Sequence, residues 1–250
     1  MTCEQVPDQA HLPIALVVAT GHEAKIVRRA LHKATVRKAN GPNTQFTRFK
    51  VVLVGVGCSD LDSNRLTSAH AAIISTGFAG ALRHGIESGT LLFPEEVKKS
   101  DNSTYNVDPD LQKKIENNLH ADTVPTHIAR GSLLHTDSLL ATTDQKQRAC
   151  EQSACIACDM ESAALAVAAK HGGRPFACLR IVLDPADISI PDPIMELADL
   201  QTEPGAAAFL GAVLRHPGQL PATAAFLWHT FKASRALGRS VTNLVEGCCE

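Results

Sequence analysis

The sequence predicts an α/β fold in which helices cover both faces of one sheet. Apolar runs of strand length alternate with helical patterns along most of the chain. A chain of 250 residues with 44% hydrophobic content can bury one sizeable core. We therefore expect a single α/β domain over 14–216, preceded by an N-terminal extension over 1–13 and followed by a helical tail over 217–250.

The chain opens with a β-loop-α pattern. An apolar run at 14–19 predicts a strand, and 26–34 has helical spacing. Between them, Gly21 lets the backbone approach a ligand, while Glu23 and Lys25 can reach the same crevice. One glycine is not the GxGxxG fingerprint, which disfavours the alternative of a dinucleotide-binding protein.

Two further buried strands end in glycines. Residues 49–57 form the first, a helix is predicted over 60–70, and 71–82 form the second. The second strand ends in a GxxG turn made by Gly77 and Gly80. Two glycines three apart predict a close backbone approach, either to a ligand or to a neighbouring strand.

The middle of the chain continues the alternation. Strands are predicted at 89–94 and 126–134, and 101–106 has loop composition. Asp108 followed by Pro109 predicts a helix that runs to residue 118, with Asp108 as its N-cap.

Residues 158–170 are the centre of the functional prediction. Two carboxylates and a methionine open a helix that is otherwise nearly all alanine. Asp159 and Glu161 are predicted to lie in its first turn, where the helix dipole and free N–H groups favour anions. An apolar run at 154–157 would place both acids at the carboxyl end of a strand, where α/β sheets bind ligands. The alternative is that the acids only start the helix.

A last buried strand, 175–183, runs into Asp184. The prolines at 185, 191 and 193 predict a defined loop after it, without an immediate helix. A carboxylate at a strand end, fixed by a following proline, is suited to act as a general acid.

The C-terminal segment has a different pattern. After a break at 215–221, apolar residues recur near helical spacing over 222–245, with Lys232, Arg235 and Arg239 between them. A basic amphipathic helix of this kind either packs on its own domain or lies on a membrane surface or a lipid-like substrate.

Composition excludes several classes of protein. The formal net charge of -2 implies no nucleic-acid partner, and one Trp and one Tyr provide no stacking platform. Apolar runs are too short for a membrane span, and the first nine residues lack a signal-peptide pattern, so we expect a cytoplasmic protein. Eight cysteines do not form a disulfide pattern, and the Cys155 to Cys158 CxxC has no second pair at zinc-finger spacing. We expect no metal and no organic cofactor.

Three motifs, read together, resemble the signature of the purine nucleoside phosphorylase and methylthioadenosine/S-adenosylhomocysteine nucleosidase superfamily. They are STGFAGA at 75–81, DMESA at 159–163 and RIVLDPAD at 180–187. The resemblance implies a three-layer α/β/α sandwich with a mixed central sheet. The similarity is greatest to the hopanoid-associated phosphorylase branch, through 184–187 and the PGQLP at 217–221. That branch is thought to remove adenine from adenosylhopane.

The resemblance also implies roles for residues. Glu161 would bind the ribose 2′- and 3′-hydroxyls and stabilise a developing oxocarbenium ion, and Asp184 would protonate adenine N7. The remaining residues implied to bind substrate are Met160, Gly77, Phe78, Leu139 and Asp159.

The nucleophile stays open between phosphate and water. In one alignment Gly21 and Lys25 belong to a phosphate-binding loop, which makes phosphate a co-substrate. In the other, Glu23 takes the place of a water-activating glutamate. Ser75 and Phe78 stand where phosphorylases tend to place phosphate donors, which weakens an anion site.

The leading hypothesis is an enzyme that cleaves the N-glycosidic bond of an adenosyl compound, adenosylhopane by resemblance. The alternatives are a methylthioadenosine/S-adenosylhomocysteine nucleosidase that acts on soluble substrates and a non-catalytic nucleoside- or lipid-binding protein. Retention of Glu161 and Asp184 favours an enzyme. The family also implies a homo-oligomer, and the tail at 222–245 suggests peripheral membrane contact.

Overall fold

The strands form one mixed sheet in a computed structural model that describes residues 12–39, 49–119, 127–198 and 206–247. Most of the 1–13 extension lies outside these residues. Within them the apolar runs form the following strands: β1 Ile14–Val18, β2 Phe49–Leu53, β3 Ala72–Ala81, β4 Leu91–Lys99, β5 Thr104–Asn106, β6 Ile128–His135, β7 Ala157–Asp159 and β8 Phe176–Asp184.

Helices connect most of these strands. Asp108 caps the helix that begins at Pro109, as predicted, since its carboxylate accepts a hydrogen bond from Leu111 N at 2.8 Å. Short 3-10 turns occur at Val56–Cys58 and Pro217–Gln219. The helices are α1 Gly21–Ala39, α2 Ser63–Ser68, α3 Pro109–Leu119, α4 Thr143–Ser153, α5 Ser162–His171, α6 Asp192–Ala198, α7 Ala206–Arg215 and α8 Leu220–Gly247.

The sheet mixes parallel and antiparallel pairs. β1 lies between β2 and β3 and is parallel to both, β3 is parallel to β8, and β6 is parallel to β4 and β7. β8 also pairs antiparallel with β4, and β7 pairs antiparallel with β3. Strands β3, β8, β4, β6 and β7 therefore close a ring of pairings, with β1 and β2 extending it on one side.

Helices cover both faces, which confirms the three-layer prediction. Alternate residues of β1 point to opposite layers: Ala15 and Val17 pack towards α2 and α5, and Leu16 and Val18 pack towards α1, α3 and α8. Both layers bury alanine at the contact, which lets the helices approach the sheet closely. Buried polar side chains lie both within the strands, as Ser75 of β3 and Arg180 of β8 do, and at their ends, as Asp159 of β7 does.

Four local predictions differ from the structure. The helix expected over 60–70 is only α2, because the Asp62 carboxylate caps Arg65 N at 3.0 Å and begins the helix there. The loop expected over 101–106 contains β5, because Asn102 adopts a φ of 65° and turns the chain back onto β4. α6 begins at Asp192, since Pro193 in a first turn needs no N–H partner.

The fourth difference concerns the strand expected over 154–157. Ala154 ends α4 in the left-handed conformation, with a φ of 56°, so the strand begins only at Ala157. β7 is three residues long and ends at Asp159. The first of the two acids therefore lies within the strand itself instead of in the helix that follows.

Helix α8 contributes to the core of the domain. Its second half buries Leu237, Val241 and Leu244 in the same cluster as Val27 of α1 and Ile115 of α3. The first half instead exposes large apolar side chains, which are Leu220, Leu227, Trp228 and Phe231. None of the described helices is both long and apolar enough to cross a membrane.

Candidate active site

Acidic side chains meet at one edge of the sheet, where β1, β3, β7 and β8 end. β3 pairs in parallel with β8, and the pairing sets Gly77 opposite Arg180. Three carboxylates surround this guanidinium, those of Glu23, Asp159 and Glu161. A fourth, that of Asp184, lies at the end of β8 beside a buried lysine.

Glu23 lies in the first turn of α1 and is buried. One carboxylate oxygen accepts hydrogen bonds from Ala19 N at 3.1 Å and Thr20 N at 2.9 Å. The other accepts from Phe78 N at 2.8 Å. Backbone donors that follow the end of β1 and a donor within β3 therefore fix the orientation of this side chain.

Gly77 permits this contact. Its φ is 148°, and a Cβ built there would lie 2.3 Å from Glu23 Oε1. Any larger residue would push the carboxylate away from Phe78 N. The prediction of a GxxG turn at the strand end is wrong, because Gly77 and Gly80 both lie within β3 and pair with β8, and the predicted close approach is made to another side chain of the site. The Phe78 ring lies against His22, with the ring centroids 6.3 Å apart.

The prediction that Asp159 and Glu161 both lie in the first turn of the central helix is wrong. Asp159 is the last residue of β7, and Glu161 is the N-cap of α5. The Asp159 carboxylate makes a salt bridge of 2.6 Å to Arg180 and accepts hydrogen bonds from the backbone and hydroxyl of Ser162. Asp159 therefore anchors the start of α5 to β8.

Glu161 faces the site with fewer partners. Its carboxylate accepts a hydrogen bond from Gly57 N at 3.0 Å and lies 3.4 Å from Arg180 Nη2. Burial raises the pKa of Glu161 to about 7, although the Arg180 guanidinium opposes this shift. A carboxylate of this kind can still accept hydrogen bonds from a ligand diol.

Arg180 is the centre of the acidic cluster and was given no role by the sequence prediction. It is fully buried, and its guanidinium also donates to Ser75 Oγ at 2.7 Å and to Phe78 O at 3.2 Å. Burial alone lowers the pKa of Arg180, but Asp159 and Glu161 raise it well above its ordinary value. Its only sequence signal is a cationic residue inside an otherwise apolar strand.

Asp184 ends β8 and is buried beside Lys146 of α4. Lys146 Nζ lies 2.5 Å from Asp184 Oδ2. Burial raises the pKa of Asp184 to about 6, and the Lys146 ammonium opposes the shift. Sequence reasoning missed Lys146, because α4 is otherwise polar and nothing in its pattern predicts a buried cation.

The remaining predicted site residues lie around these groups. Met160 is half-buried in the turn between β7 and α5, and Gly21 is the first residue of α1. Leu139 is 41% exposed in the loop after β6. Lys25 is exposed on α1, on a different side of the helix from the buried Glu23.

The cysteines of the CxxC form no metal centre with their neighbours. Cys155 and Cys158 are free thiols, and burial raises the pKa of both. In the part of the chain that the structure describes, no three His, Cys, Asp or Glu side chains are grouped to hold a metal ion.

Comparison with known proteins supports the fold. The chain is similar to the 5′-methylthioadenosine/S-adenosylhomocysteine nucleosidase of Neisseria meningitidis, solved with methylthio-immucillin-A, at a TM-score of 0.64 and 17% identity, over 94% of this chain and 98% of that one. It is also similar to the Streptococcus pneumoniae nucleosidase, solved with the transition-state inhibitor MT-ImmA. There the TM-score is 0.56 and the identity 18%, over 89% of this chain and 99% of that one.

Sequence comparison identifies the family. No curated protein matches the chain. The family model described as Phosphorylase superfamily matches residues 13–216, which is most of the chain. The prediction of an enzyme of the nucleoside phosphorylase and nucleosidase class is confirmed by this match. The chain therefore belongs to the phosphorylase superfamily.

Proposed function

We propose that this protein hydrolyses the N-glycosidic bond of an adenosyl nucleoside. The observation that carries the proposal is the pairing of a buried acid, Asp184, with a separate buried carboxylate cluster, Glu23 and Glu161, at one edge of the sheet. Nucleoside cleavage needs both, since the leaving base must gain a proton while the sugar carbon gains positive charge.

In the proposed reaction, Glu161 accepts hydrogen bonds from the ribose hydroxyls and stabilises positive charge on the sugar. Glu23 takes a proton from a water molecule whose oxygen bonds to the anomeric carbon. The bond between that carbon and adenine N9 breaks, and Asp184 gives its proton to N7. The products are adenine and the free sugar.

Water is favoured over phosphate by the charges of the site. Three carboxylates, Glu23, Asp159 and Glu161, lie around the single guanidinium of Arg180, so a phosphate dianion would meet net repulsion. Lys25, the cation expected to bind phosphate, is exposed. Glu23 is instead buried and oriented by three backbone N–H groups.

A nucleophile assay tests this choice. We expect equal rates of adenine release with and without phosphate, and free sugar as the product in both buffers. Lys25→Met should leave the rate unchanged in both buffers, whereas Glu23→Gln should remove most of the activity. A requirement for phosphate with a sugar 1-phosphate product, or a raised phosphate KM in Lys25→Met, would show phosphorolysis instead.

The substrate that we propose is adenosylhopane, from the resemblance of 184–187 and 217–221 to the hopanoid-associated branch. The structure adds one supporting feature. His22, beside Glu23, lies 3.2 Å from Ser234 of α8, three residues after Phe231, so α8 approaches the site where its exposed apolar half ends. Methylthioadenosine is the soluble alternative, favoured by the ligand of the Neisseria meningitidis nucleosidase. Adenine release from each compound separates the two substrates.

We further propose that α8 contacts an anionic membrane, through its first half only. Detaching the second half would expose Leu237, Val241 and Leu244, at about 1.5–3 kcal/mol for each side chain. Trp228 and Phe231 are already exposed and stack at 5.6 Å. Lys232 of the first half is exposed, as are Arg235 and Arg239, which follow directly after that half, and no acidic residue precedes Glu246 in α8.

A vesicle assay tests this contact, and Trp228 is a built-in probe because the chain has one tryptophan. We expect its fluorescence to shift to the blue with vesicles that contain anionic lipid. In sedimentation, Trp228→Ala with Phe231→Ala should weaken binding more than about tenfold, because two aromatic side chains leave the interface. Val36→Ala, which removes an exposed apolar residue of α1, is the control. Unchanged sedimentation of the double variant would contradict the proposal.

A further inference from the structure

Lys146 is a buried cation whose hydrogen bonds are all used around the end of β8. Its ammonium donates to Pro185 O at 2.9 Å and to Ile188 O at 2.7 Å, in addition to the 2.5 Å contact with Asp184. An ammonium has three N–H groups, so each has an acceptor. The lysine therefore ties α4 to Asp184 and to both ends of the turn that follows it.

Stability alone does not explain this lysine. Desolvating two charges costs several kcal/mol, and replacing a buried ion pair by apolar residues is often neutral or stabilising. The two carbonyl contacts would hold the loop without any carboxylate. The contact that remains to be explained is the one with Asp184, the acid of the proposed reaction.

We propose that Lys146 is a positioning residue that holds the Asp184 carboxyl at the leaving base and stabilises the carboxylate formed when Asp184 gives up its proton. The inference rests on the proposed function. It makes Asp184 a stronger acid in the step where the C–N bond breaks, because the charge left on Asp184 is paired at once.

The surroundings of Asp184 identify Lys146 as its charged neighbour. From β7, Cys158 faces the same space beside Gly80, and burial raises the pKa of its thiol, so it stays neutral. From β3, Gly80 approaches without a side chain, and a Cβ built there would lie 3.3 Å from Asp184 Oδ2. Among the described residues, the cation that faces Asp184 is that of Lys146, and it lowers the pKa of Asp184 against the effect of burial.

The test compares wild type with Lys146→Met over pH 5–8, using adenine release. Near pH 5, about one unit below the pKa of wild-type Asp184, this residue is mostly protonated in both proteins, so the ratio of kcat values reports mainly acid strength. We expect wild type to be faster by about tenfold there, with little change in KM. As pH rises through 6, Asp184 loses its proton in wild type before it does so in Lys146→Met, so the ratio of wild-type kcat to variant kcat should fall. Glu161 titrates in both proteins, so its effect on kcat cancels in this ratio.

Arg148→Met is the matched control, since it removes an exposed cation from the same helix and should leave kcat unchanged. In an Asp184→Asn background, Lys146→Met should have little further effect on kcat. A pH-independent ratio, or an equal loss in the Asp184→Asn background, would overturn the proposal and leave Lys146 a purely structural role. If Lys146→Met does not fold, Lys146→Gln replaces it in the same comparison.

An infrared titration of Asp184 separates this inference from the proposed function. Its carboxyl band should titrate about one to three pH units higher in Lys146→Met than in wild type. An unchanged titration would refute the link between Lys146 and Asp184 whatever the substrate is. Absence of adenine release by wild type, with the titration shifted, would refute only the proposed reaction.

Discussion

Asp184→Asn is expected to lower kcat for adenine release by about 10²–10⁴-fold, the contribution typical of a positioned general acid. The amide has the shape of the carboxyl but cannot give a proton to N7. Its oxygen can still accept a hydrogen bond from Lys146, whose other two acceptors are backbone carbonyls. The fold and the affinity for nucleoside should therefore be largely retained.

Asp187→Asn is the control for this change, because it makes the same substitution in the same loop on an exposed side chain. Adenine release measured by absorbance gives kcat, and calorimetry with the slow variant gives the affinity for nucleoside. Wild-type turnover in Asp184→Asn would remove this residue from the acid role. A lost affinity with normal kcat would assign it to substrate binding.

Arg180→Met is expected to lower the free energy of unfolding by about 3–5 kcal/mol, because it leaves buried carboxylates without their cation. For a chain of this size, the midpoint of thermal unfolding should fall by roughly 6–20 °C. The surface pair of Arg130 and Glu116 gives the comparison. Arg130→Met should cost about 0–1 kcal/mol, since water already solvates both partners.

The loss in the free energy of unfolding caused by Arg180→Met should also depend on pH. The folded-state pKa of Glu161 is raised to about 7 by burial, and Arg180 limits this rise. Below that pH the protonated carboxyl needs no counterion, so this part of the deficit is small. It should widen as the pH rises through 7. Thermal melts at pH 6 and pH 8 measure the change, and a constant deficit would mean that Glu161 does not contribute to it.

The sequence predicted the layers of the fold and the convergence of its motifs for one physical reason. Apolar runs alternate with helical patterns, and parallel strands carry their carboxyl ends to the same edge of a sheet. The residue Glu23, just after β1, and Asp184, at the end of β8, could therefore be expected to lie at the same edge from the strand pattern alone. The register that sets Gly77 beside Arg180 could not, because it depends on how two distant strands pair.

The sequence pattern could not predict whether Glu23 or Lys25 faces the site. Residues two apart on a helix point to nearly opposite sides, so only one of the two can face the strand ends. Which one does so depends on where α1 begins. The helix begins at Gly21, several residues before its apolar spacing becomes clear, and this start turns Glu23 inwards.

Partners from distant segments were also beyond prediction. Glu161 is bound by Gly57 N, more than one hundred residues earlier, from a turn that the sequence merged into a strand end. Lys146 lies on a polar helix, and its ammonium is bound by Asp184 and by the loop after β8. Both contacts depend on tertiary packing rather than on local spacing.

The packing of α8 on α1 has a consequence for how the chain is made. On the order of 180 residues separate the two helices, yet they share one apolar layer on the sheet. During synthesis the part of this apolar layer that α8 covers stays exposed until α8 leaves the ribosome. Contacts between segments so far apart in sequence form slowly, and apolar surface is exposed in the meantime. We therefore expect the nascent chain to bind chaperones.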